Sequence, residues 1–365
     1  MAGIDPILKL AVDKKVSDVH LCSNLAPMAR LHGNIVKIEG FGVRTPEQNE
    51  SELLEIMSEA QQKEFHRRGV IDLSYGLEGV GRFRVNIHRD GGGISGAFRI
   101  IPTEIRTAED IGFPETVKEL SRREQGLFLV TGPSGCGKST TLGAFVDLIN
   151  RERVCHIITI ESPIEFRYAN KKAYIEQREV GTHTKSFASA LRAVVREAAD
   201  VIVVGAMPDV ETMSLVLSAA ESGHLVFSTL YTRNAAKTVS RVISAFPPDE
   251  QIMVQARLGD ALVGILSQQL IRDRAGTDVV PAIEVMINTP MVAGLIRNGD
   301  TFRIPTTMQT GKKFGMQLMD DHIIELLREG KVDPKVAQTK VEDKAVLREY
   351  LLEQQKEAKK RKSKA

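Results

Sequence analysis

Hydrophobic positions change their spacing along the chain, and the change separates two regions. Up to residue 101, short runs in which apolar and polar residues alternate, such as 71–75 and 81–86, lie between glycine-containing turns. Alternation with a period of two predicts half-buried strands. Helical spacing predicts helices over 5–15 and 50–65. The first region is therefore expected to form a small α+β domain.

From about residue 115, short and continuously apolar runs alternate with longer amphipathic ones. The runs predict buried strands at 127–131, 156–160, 201–204, 225–227 and 282–287. Buried strands separated by helices are typical of a mostly parallel sheet with helices on both faces. The expected organisation is an α+β domain over 1–101, a linker over 102–114, an α/β domain over 115–340, and a C-terminal helix with a basic tail over 341–365.

A glycine-rich segment directly follows the first of these buried runs. Residues 131–140 read Thr-Gly-Pro-Ser-Gly-Cys-Gly-Lys-Ser-Thr, which contains a complete G-x-x-x-x-G-K-S phosphate-binding loop between a strand and a helix. Glycines let backbone N–H groups converge on a phosphate, Lys138 neutralises phosphate oxygens, and Ser139 can ligate Mg²⁺. The predicted nucleotide-binding residues are Gly132, Pro133, Ser134, Gly135, Cys136, Gly137, Lys138, Ser139 and Thr140. The segment predicts that the chain binds a nucleoside triphosphate.

Composition narrows the remaining possibilities. The formal net charge of the 365 residues is +2, and no stripe of basic and aromatic residues runs along the sequence, which argues against a nucleic-acid translocase. Three scattered cysteines supply neither a disulfide framework nor a zinc site, so a reducing, cytoplasmic compartment is expected. No window is apolar enough to cross a bilayer, and no signal peptide is expected.

The order of short motifs resembles the type IV pilus retraction ATPases of the PilT/PilU type, almost from end to end. Besides the phosphate loop, the motifs are Ser-Asp-Val-His-Leu at 17–21, Gly-Arg-Phe-Arg-Val-Asn at 81–86, Phe-Arg-Ile-Ile-Pro at 98–102, Gly-His-Leu-Val-Phe-Ser-Thr-Leu at 223–230, Glu-Val-Met at 284–286, Asn-Thr-Pro at 288–290 and Gly-Met-Gln at 315–317. Type II secretion and pilus-extension ATPases resemble the core too, but they usually carry a four-cysteine zinc insertion that this chain cannot supply.

The resemblance implies a RecA-like P-loop ATPase domain preceded by a PAS-like domain. It also implies a hexameric ring, or a ring mixed with a related ATPase, that binds ATP and Mg²⁺ between subunits. The ring would lie in the cytoplasm and reach the inner membrane through the pilus platform protein, without inserting into the membrane and without binding nucleic acid.

The same resemblance suggests catalytic residues. Glu161 matches the candidate general base, and His224 matches the first position of a histidine motif. Arg82, Arg84 and Arg99 match strands whose arginines could reach a neighbour's γ-phosphate. For the arginines, salt bridges on a strand surface are an equal alternative. His224 could instead be a satisfied residue at a strand edge, and Glu161 a solvated or paired strand-end acid.

The chain departs from the family pattern where hydrolysis is expected to occur. Ala206 stands in the Walker B glutamate position, in Gly-Ala-Met-Pro-Asp at 205–209, and Tyr231 stands at the second histidine position. Ser162 replaces an aspartate. Asp200 lies at the wrong end of its strand to substitute, and a rescue by Asp209 is not expected. Two functions remain: a retraction motor subunit with weakened hydrolysis, or a catalytically deficient regulatory paralogue that acts with a complete retraction ATPase.

Overall fold

The protein divides into two compact units. The computed structural model describes residues 3–31, 34–101, 104–276, 278–348, 350 and 352. One unit comprises Met1–Ile105 together with Pro163–Arg167, and the other comprises Arg106–Ser162 and Tyr168–Ala365. The division therefore falls inside the expected linker. Ala108 and Phe113, from the second half of that linker, are buried in the core of the second unit.

The first unit is a six-stranded antiparallel sheet with three helices. Its strands have the order β3-β2-β1-β6-β5-β4. Its core contains Phe65, Phe83 and Phe98, each fully buried. The elements are α1 (Asp5–Asp13), β1 (Asp18–Leu21), β2 (Met28–Leu31), β3 (Asn34–Lys37), α2 (Pro46–Glu55), α3 (Glu59–Arg68), β4 (Val70–Leu77), β5 (Gly81–Asp90) and β6 (Gly93–Ile101).

The single helix expected over 50–65 is two helices. The chain leaves α2 after Glu55 and starts α3 at Glu59, where Ser58 accepts a hydrogen bond from the Gln61 N–H and the Gln61 side chain bonds back to the Ser58 N–H. This reciprocal pair is a capping box, and it satisfies N–H groups that have no partner within the helix. The Ser-x-x-Gln spacing in the sequence is the signal for this break.

The second unit is a seven-stranded sheet with helices on both faces. Its strand order is β13-β12-β7-β11-β10-β8-β9, and only the β12–β13 pair is antiparallel. The elements are α4 (Ala108–Ile111), α5 (Glu115–Leu120), β7 (Gly126–Thr131), α6 (Lys138–Glu152), β8 (His156–Glu161), β9 (Tyr174–Glu179), α7 (Phe187–Val194), β10 (Val201–Val204), α8 (Val210–Glu221), β11 (Leu225–Leu230), α9 (Ala235–Ser244), α10 (Gln251–Ala261), β12 (Leu262–Arg272), β13 (Val279–Ile287), α11 (Pro290–Arg297), α12 (Ile304–Thr310), α13 (Met319–Arg328) and α14 (Pro334–Lys340).

Two apolar clusters cover the faces of this sheet. On the face of α6, the rings of Phe128, Phe145 and Phe227 pack at tilted and edge-on angles, with centroid distances of 5.0–5.7 Å. Helices α7 to α10 pack on the other face. Because β7, β8, β10 and β11 are parallel, their carboxyl ends meet at one edge, where ligands of such sheets bind. This is the RecA-like P-loop architecture that the resemblance implies.

The C-terminal helix is partly visible. Residues 344–348, 350 and 352 are helical, and Leu347 and Tyr350 are buried against Ile323 and other residues of α13 and β12. Residues 341–343 are not helical, so the helix begins later than the expected residue 341. The rest of the helix expected over 341–355, and the basic tail, lie outside the described residues. Among the described residues, no helix has both the length and the apolar composition required to cross a bilayer.

Candidate nucleotide-binding site

The phosphate loop links the end of β7 to the start of α6, as the sequence predicts. Gly137 is the N-cap of α6 and has φ of +91°, which favours glycine. Gly132 has φ of +147°, and a Cβ there would lie 2.3 Å from the Gln268 carbonyl oxygen and 2.5 Å from the Cys136 Sγ. The backbone thus approaches β12 too closely for any side chain at residue 132.

Gln268 of β12 supports the loop from behind. Its side-chain amide donates to the Cys136 carbonyl oxygen, and its Oε1 accepts from the Thr141 hydroxyl at 2.7 Å. One residue earlier, the Ser267 hydroxyl accepts from Thr131 at 2.9 Å. These buried bonds hold both ends of the loop to β12. Sequence reasoning missed this role because Gln268 is far along the chain and belongs to no recognised motif.

Lys138 is buried within the loop that it serves. Its ammonium donates to the carbonyl oxygens of Gly132 and Pro133, each at 2.9 Å. The same nitrogen lies 4.2 Å from the centroid of the Tyr231 ring. Lys138 is therefore held at the loop by two carbonyl oxygens and one aromatic face.

The other predicted loop residues differ in exposure. Pro133, Ser134 and Gly135 are exposed, and Ser139 and Thr140 are half-buried in the first turn of α6. Cys136 is buried, and burial raises the pKa of its thiol, which makes it a packing residue rather than a nucleophile. The Ser139 hydroxyl, together with phosphate oxygens, is the ligand that Mg²⁺ would take in a loop of this type.

Glu161 ends β8 at the same edge of the sheet. Its carboxylate accepts hydrogen bonds from the Thr159 hydroxyl at 2.6 Å and from the Gln177 side-chain amide at 3.3 Å. Strands β8 and β10 pair in parallel with Ile160 opposite Val204, so the residues after Val204 lie beside Glu161. The side chain is thus oriented by neighbours on β8 and β9.

The end of β10 carries no carboxylate. The Gly205 N–H donates to the Ile160 carbonyl oxygen, and the next residue, Ala206, packs against the apolar cluster on the α7–α10 face. Asp209 caps α8 by accepting from the Thr212 N–H at 2.7 Å. Asp200 accepts from the His156 N–H at the opposite end of the strand. Both aspartates thus have structural partners away from the vacant glutamate position.

The two positions of the histidine motif lie at opposite ends of β11. His224 precedes the strand, and its Nδ1 is 3.1 Å from the Ala219 carbonyl oxygen and 3.2 Å from the Ser222 hydroxyl. Because β11 runs parallel to β7, with Leu225 opposite Gly126 and Leu230 opposite Thr131, His224 lies at the edge away from the loop. Within the chain, Tyr231 rather than His224 lies at the loop. This corrects the expectation that His224 joins the phosphate site.

The three arginines lie on β5 and β6 of the first unit. Arg82 donates to the Ile164 carbonyl oxygen at 2.6 Å, within that unit. Arg99 pairs with Asp18 at 2.9 Å, although its side chain is largely exposed. Arg84 is exposed and lies directly opposite Arg99 in the strand register. Arg99 thus makes a salt bridge, as in the alternative of surface pairing, whereas the contact of Arg82 is with a backbone oxygen. Arg84 and Arg99 are neighbours across the two strands.

Comparisons with known proteins agree with this geometry. Residues 106–353 match the type II/IV secretion system protein family. The chain is 41% identical over 337 residues to the type IV pilus retraction ATPase PilT of Pseudomonas aeruginosa, covering 92% of this chain and 97% of the relative. The chain belongs to the type IV pilus retraction ATPase family. It is also 34% identical to the type IV pilus ATPase PilU of the same organism, with 90% and 86% of the two chains covered.

A solved structure of this family superposes over nearly the whole length. The crystal structure of the pilus retraction motor PilT with bound ADP has a TM-score of 0.85 and 39% identity, and the match covers 94% of this chain and 98% of that one. This chain therefore has the fold of a nucleotide-binding protein, which agrees with its intact phosphate loop.

Glu284 is a second residue that the sequence did not single out for this site. It lies on β13 opposite Ser267, is almost fully buried, and accepts from the Ala235 N–H at the start of α9 at 2.7 Å. Burial is the main cause that raises the pKa of its carboxyl to about 7; the N–H groups of Ala235 and Met319 lower the pKa, and the nearby Glu342 and Asp320 add to the rise. Glu284 borders a cavity of about 620 Å³ that also touches Pro133 and Gln268. A titratable group is thus built into the wall behind the loop.

Proposed function

We propose that this chain is an ATP-binding, motor-type subunit of type IV pilus retraction that acts in a hexameric ring and hydrolyses ATP weakly on its own. The observation that carries the proposal is the contrast at one sheet edge. The phosphate loop is complete and supported by Gln268, whereas the Walker B position holds Ala206 against an apolar cluster. The chain has the loop that binds a triphosphate, and it lacks a carboxylate at residue 206 that would help cleave the triphosphate.

The roles follow from the chemistry of each side chain. The backbone N–H groups of the loop and the start of α6 bind phosphate oxygens, and Lys138 neutralises them. Ser139 would hold Mg²⁺ together with those oxygens. Glu161, oriented by Thr159 and Gln177, orients the attacking water and accepts its proton. Loss of one positioned acid–base group lowers rates by about 10²–10⁴-fold, and we expect the absence of a metal-organising acid at residue 206 to lower the rate by a similar factor.

The test compares the wild-type ATPase rate with that of the Ala206→Glu variant. We expect Ala206→Glu to raise the steady-state rate of ATP hydrolysis at least tenfold. The control Ala206→Gln, whose side chain has the shape of glutamate without its charge, should leave the rate low. ADP binding by both variants shows that the loop has kept its fold. A wild-type rate equal to that of the glutamate variant would contradict the proposed deficit.

A second candidate is a catalytically deficient paralogue that binds ATP and regulates a complete retraction ATPase, in mixed or stacked rings. The likeness to PilU along most of both chains favours it, as do Ser162, Pro208 and Tyr231 at three further departures from the family pattern. The discriminating measurement is hydrolysis by this chain alone and by its mixture with a catalytically complete relative. A regulator changes the rate of the mixture beyond the sum of the separate rates.

Location and contacts complete the proposal. The ring would lie in the cytoplasm and reach the inner membrane through the pilus platform protein. In that ring Arg84 and Arg99 would supply positive charge towards a neighbouring subunit's nucleotide. Arg84→Ala is the sharper of the two tests, since Arg99 has Asp18 as a local partner. Loss of ATP-dependent ring assembly in Arg84→Ala would support the contact, and unchanged assembly would favour the surface alternative.

A further inference from the structure

Tyr231 lies against Lys138, the lysine of the phosphate loop. The Lys138 ammonium is 4.2 Å from the centre of the Tyr231 ring, while it donates to two carbonyl oxygens of its own loop. We infer that Tyr231 is a positioning residue that holds Lys138 in a resting position when no nucleotide is bound. The inference rests on the nucleotide site proposed above, and it concerns the step before the phosphates enter.

The position of Tyr231 is fixed by the backbone on both sides of it. Leu230, the residue before it, pairs with Thr131 at the start of the loop. The Thr232 and Thr238 hydroxyls lie 2.6 Å apart, and Asn234 caps α9 by accepting from the Lys237 N–H. The ring is therefore placed over Lys138 by β11 and α9, although 68% of the residue is exposed.

Buried Glu284 fixes the end of the connection 231–234, where α9 begins. Its carboxylate accepts from the Ala235 N–H, the first residue of α9, while Thr238, one turn later, lies 3.5 Å from the Thr131 hydroxyl. The connection 231–234 is thus held to both β13 and β7. Because this segment is constrained, the Tyr231 ring can stay in contact with Lys138 although it is exposed.

The contact stabilises the nucleotide-free state. An ammonium over an aromatic face at an exposed site contributes about a two- to fivefold factor to an equilibrium constant. Phosphate binding requires Lys138 to leave the ring and the carbonyl oxygens, so this factor opposes nucleotide binding. The effect resides in the ring face and not in the hydroxyl. Phenylalanine at residue 231 should therefore preserve it, and alanine should remove it.

The first measurement is ADP affinity by calorimetry for the wild type, Tyr231→Phe, Tyr231→Ala and Tyr174→Ala. Tyr174 is a matched control, because it is a half-exposed tyrosine on β9 of the same unit, away from the loop. We expect about two- to fivefold tighter ADP binding by Tyr231→Ala, with the other two variants equal to the wild type. Unchanged or weaker ADP binding by Tyr231→Ala would overturn the inference.

The second measurement follows Lys138 itself without nucleotide. The full-length protein is treated briefly with acetic anhydride, and acetylation of Lys138 is measured by mass spectrometry. We expect faster acetylation in Tyr231→Ala than in the wild type and Tyr231→Phe. Equal rates in all three would overturn the inference. If the wild type failed to bind ADP, the proposed function would fail, while the acetylation rates would still decide whether the ring holds the lysine.

Discussion

The ends of β7 and β10 lie at the same edge of one parallel sheet, yet they are built very differently. The segment after β7 is held from behind by Gln268 and is packed so closely that Gly132 has no room for a side chain. The segment after β10 presents Ala206 to an apolar cluster, and Asp209, three residues later, caps a helix. In the function proposed here, nucleotide binding depends on the first strand end and cleavage on the second, so a change at one need not alter the other.

The strongest test of this contrast replaces two glycines of the loop, one at a time, with alanine. Gly132→Ala places a Cβ 2.3 Å from a backbone oxygen, whereas a Cβ at Gly135 meets no atom within 4 Å. We expect Gly132→Ala to destabilise the second unit by about 3 kcal/mol and to abolish ADP binding, because neither backbone can move freely. Gly135→Ala should cost about 1 kcal/mol, since it also has positive φ. Calorimetric unfolding with and without ADP measures both, and equal losses would mean that the close approach to β12 is unimportant.

The free energy of unfolding should fall as pH rises, because Glu284, which lies behind the end of β7, loses its proton. The pKa of the Glu284 carboxyl is raised to about 7 in the folded chain from an ordinary value of 4.5. The folded state therefore binds this proton more tightly than the unfolded state does, and stability falls between about pH 4.5 and 7 and stays lower above that range. A shift of this size corresponds to about 3 kcal/mol.

The matching variant is Glu284→Gln, which cannot ionise. We expect its free energy of unfolding to change much less between pH 5 and 8 than that of the wild type, as followed in the calorimetric transition that ADP shifts. Glu342→Gln removes an exposed carboxylate nearby and should leave most of the slope in place. A wild-type slope that persists in Glu284→Gln would assign the pH dependence to another group.

A smaller effect is expected from removing the support supplied by β12. Gln268→Ala leaves the buried Cys136 carbonyl and Thr141 hydroxyl without their partner, at a cost of about 2 kcal/mol in stability. ADP affinity should fall as well, because the loop loses its fixed shape. Gln269→Ala, the adjacent residue on the same strand, should change both quantities by less than about 0.5 kcal/mol. Similar losses in the two variants would show that the loop does not depend on Gln268.

The smallest effect is expected at Asp209, and it tests whether this residue takes part in ATP hydrolysis. Asp209→Ala removes the cap of α8 and should lower stability by about 1 kcal/mol. Residual ATP hydrolysis and ADP affinity should not change, since the carboxylate bonds to its own helix. A marked drop in hydrolysis, at unchanged ADP affinity, would show that Asp209 substitutes for the missing glutamate.

Local signals predicted much of the fold and the position of the phosphate loop. Apolar runs located β7, β8, β10, β11 and β13, and the phosphate loop was identified with its flanking strand and helix. The position of His224 was also open to prediction. A residue that precedes a parallel strand lies at the edge opposite a loop that follows one, so the strand prediction itself placed His224 away from the phosphates.

Apolar runs and local motifs could not predict contacts between residues that are distant in the sequence. Gln268, Glu284 and the contact between Tyr231 and Lys138 depend on which strands become neighbours, and no spacing in the chain encodes that order. Strand β12 was missed because it contains polar residues inside an otherwise apolar run, and these are the residues that bind the loop. The polar positions that weakened the strand signal are thus the ones that shape the site.

The bond between Gln268 and Cys136 has a consequence for how the protein matures. The two residues are 132 positions apart, so the amide partner is synthesised long after the loop. A growing chain that has not yet reached β12 contains every residue of the phosphate motif but lacks the strand that shapes it. The ability to retain nucleotide should therefore emerge late in translation, as a sign that the C-terminal third has joined the sheet.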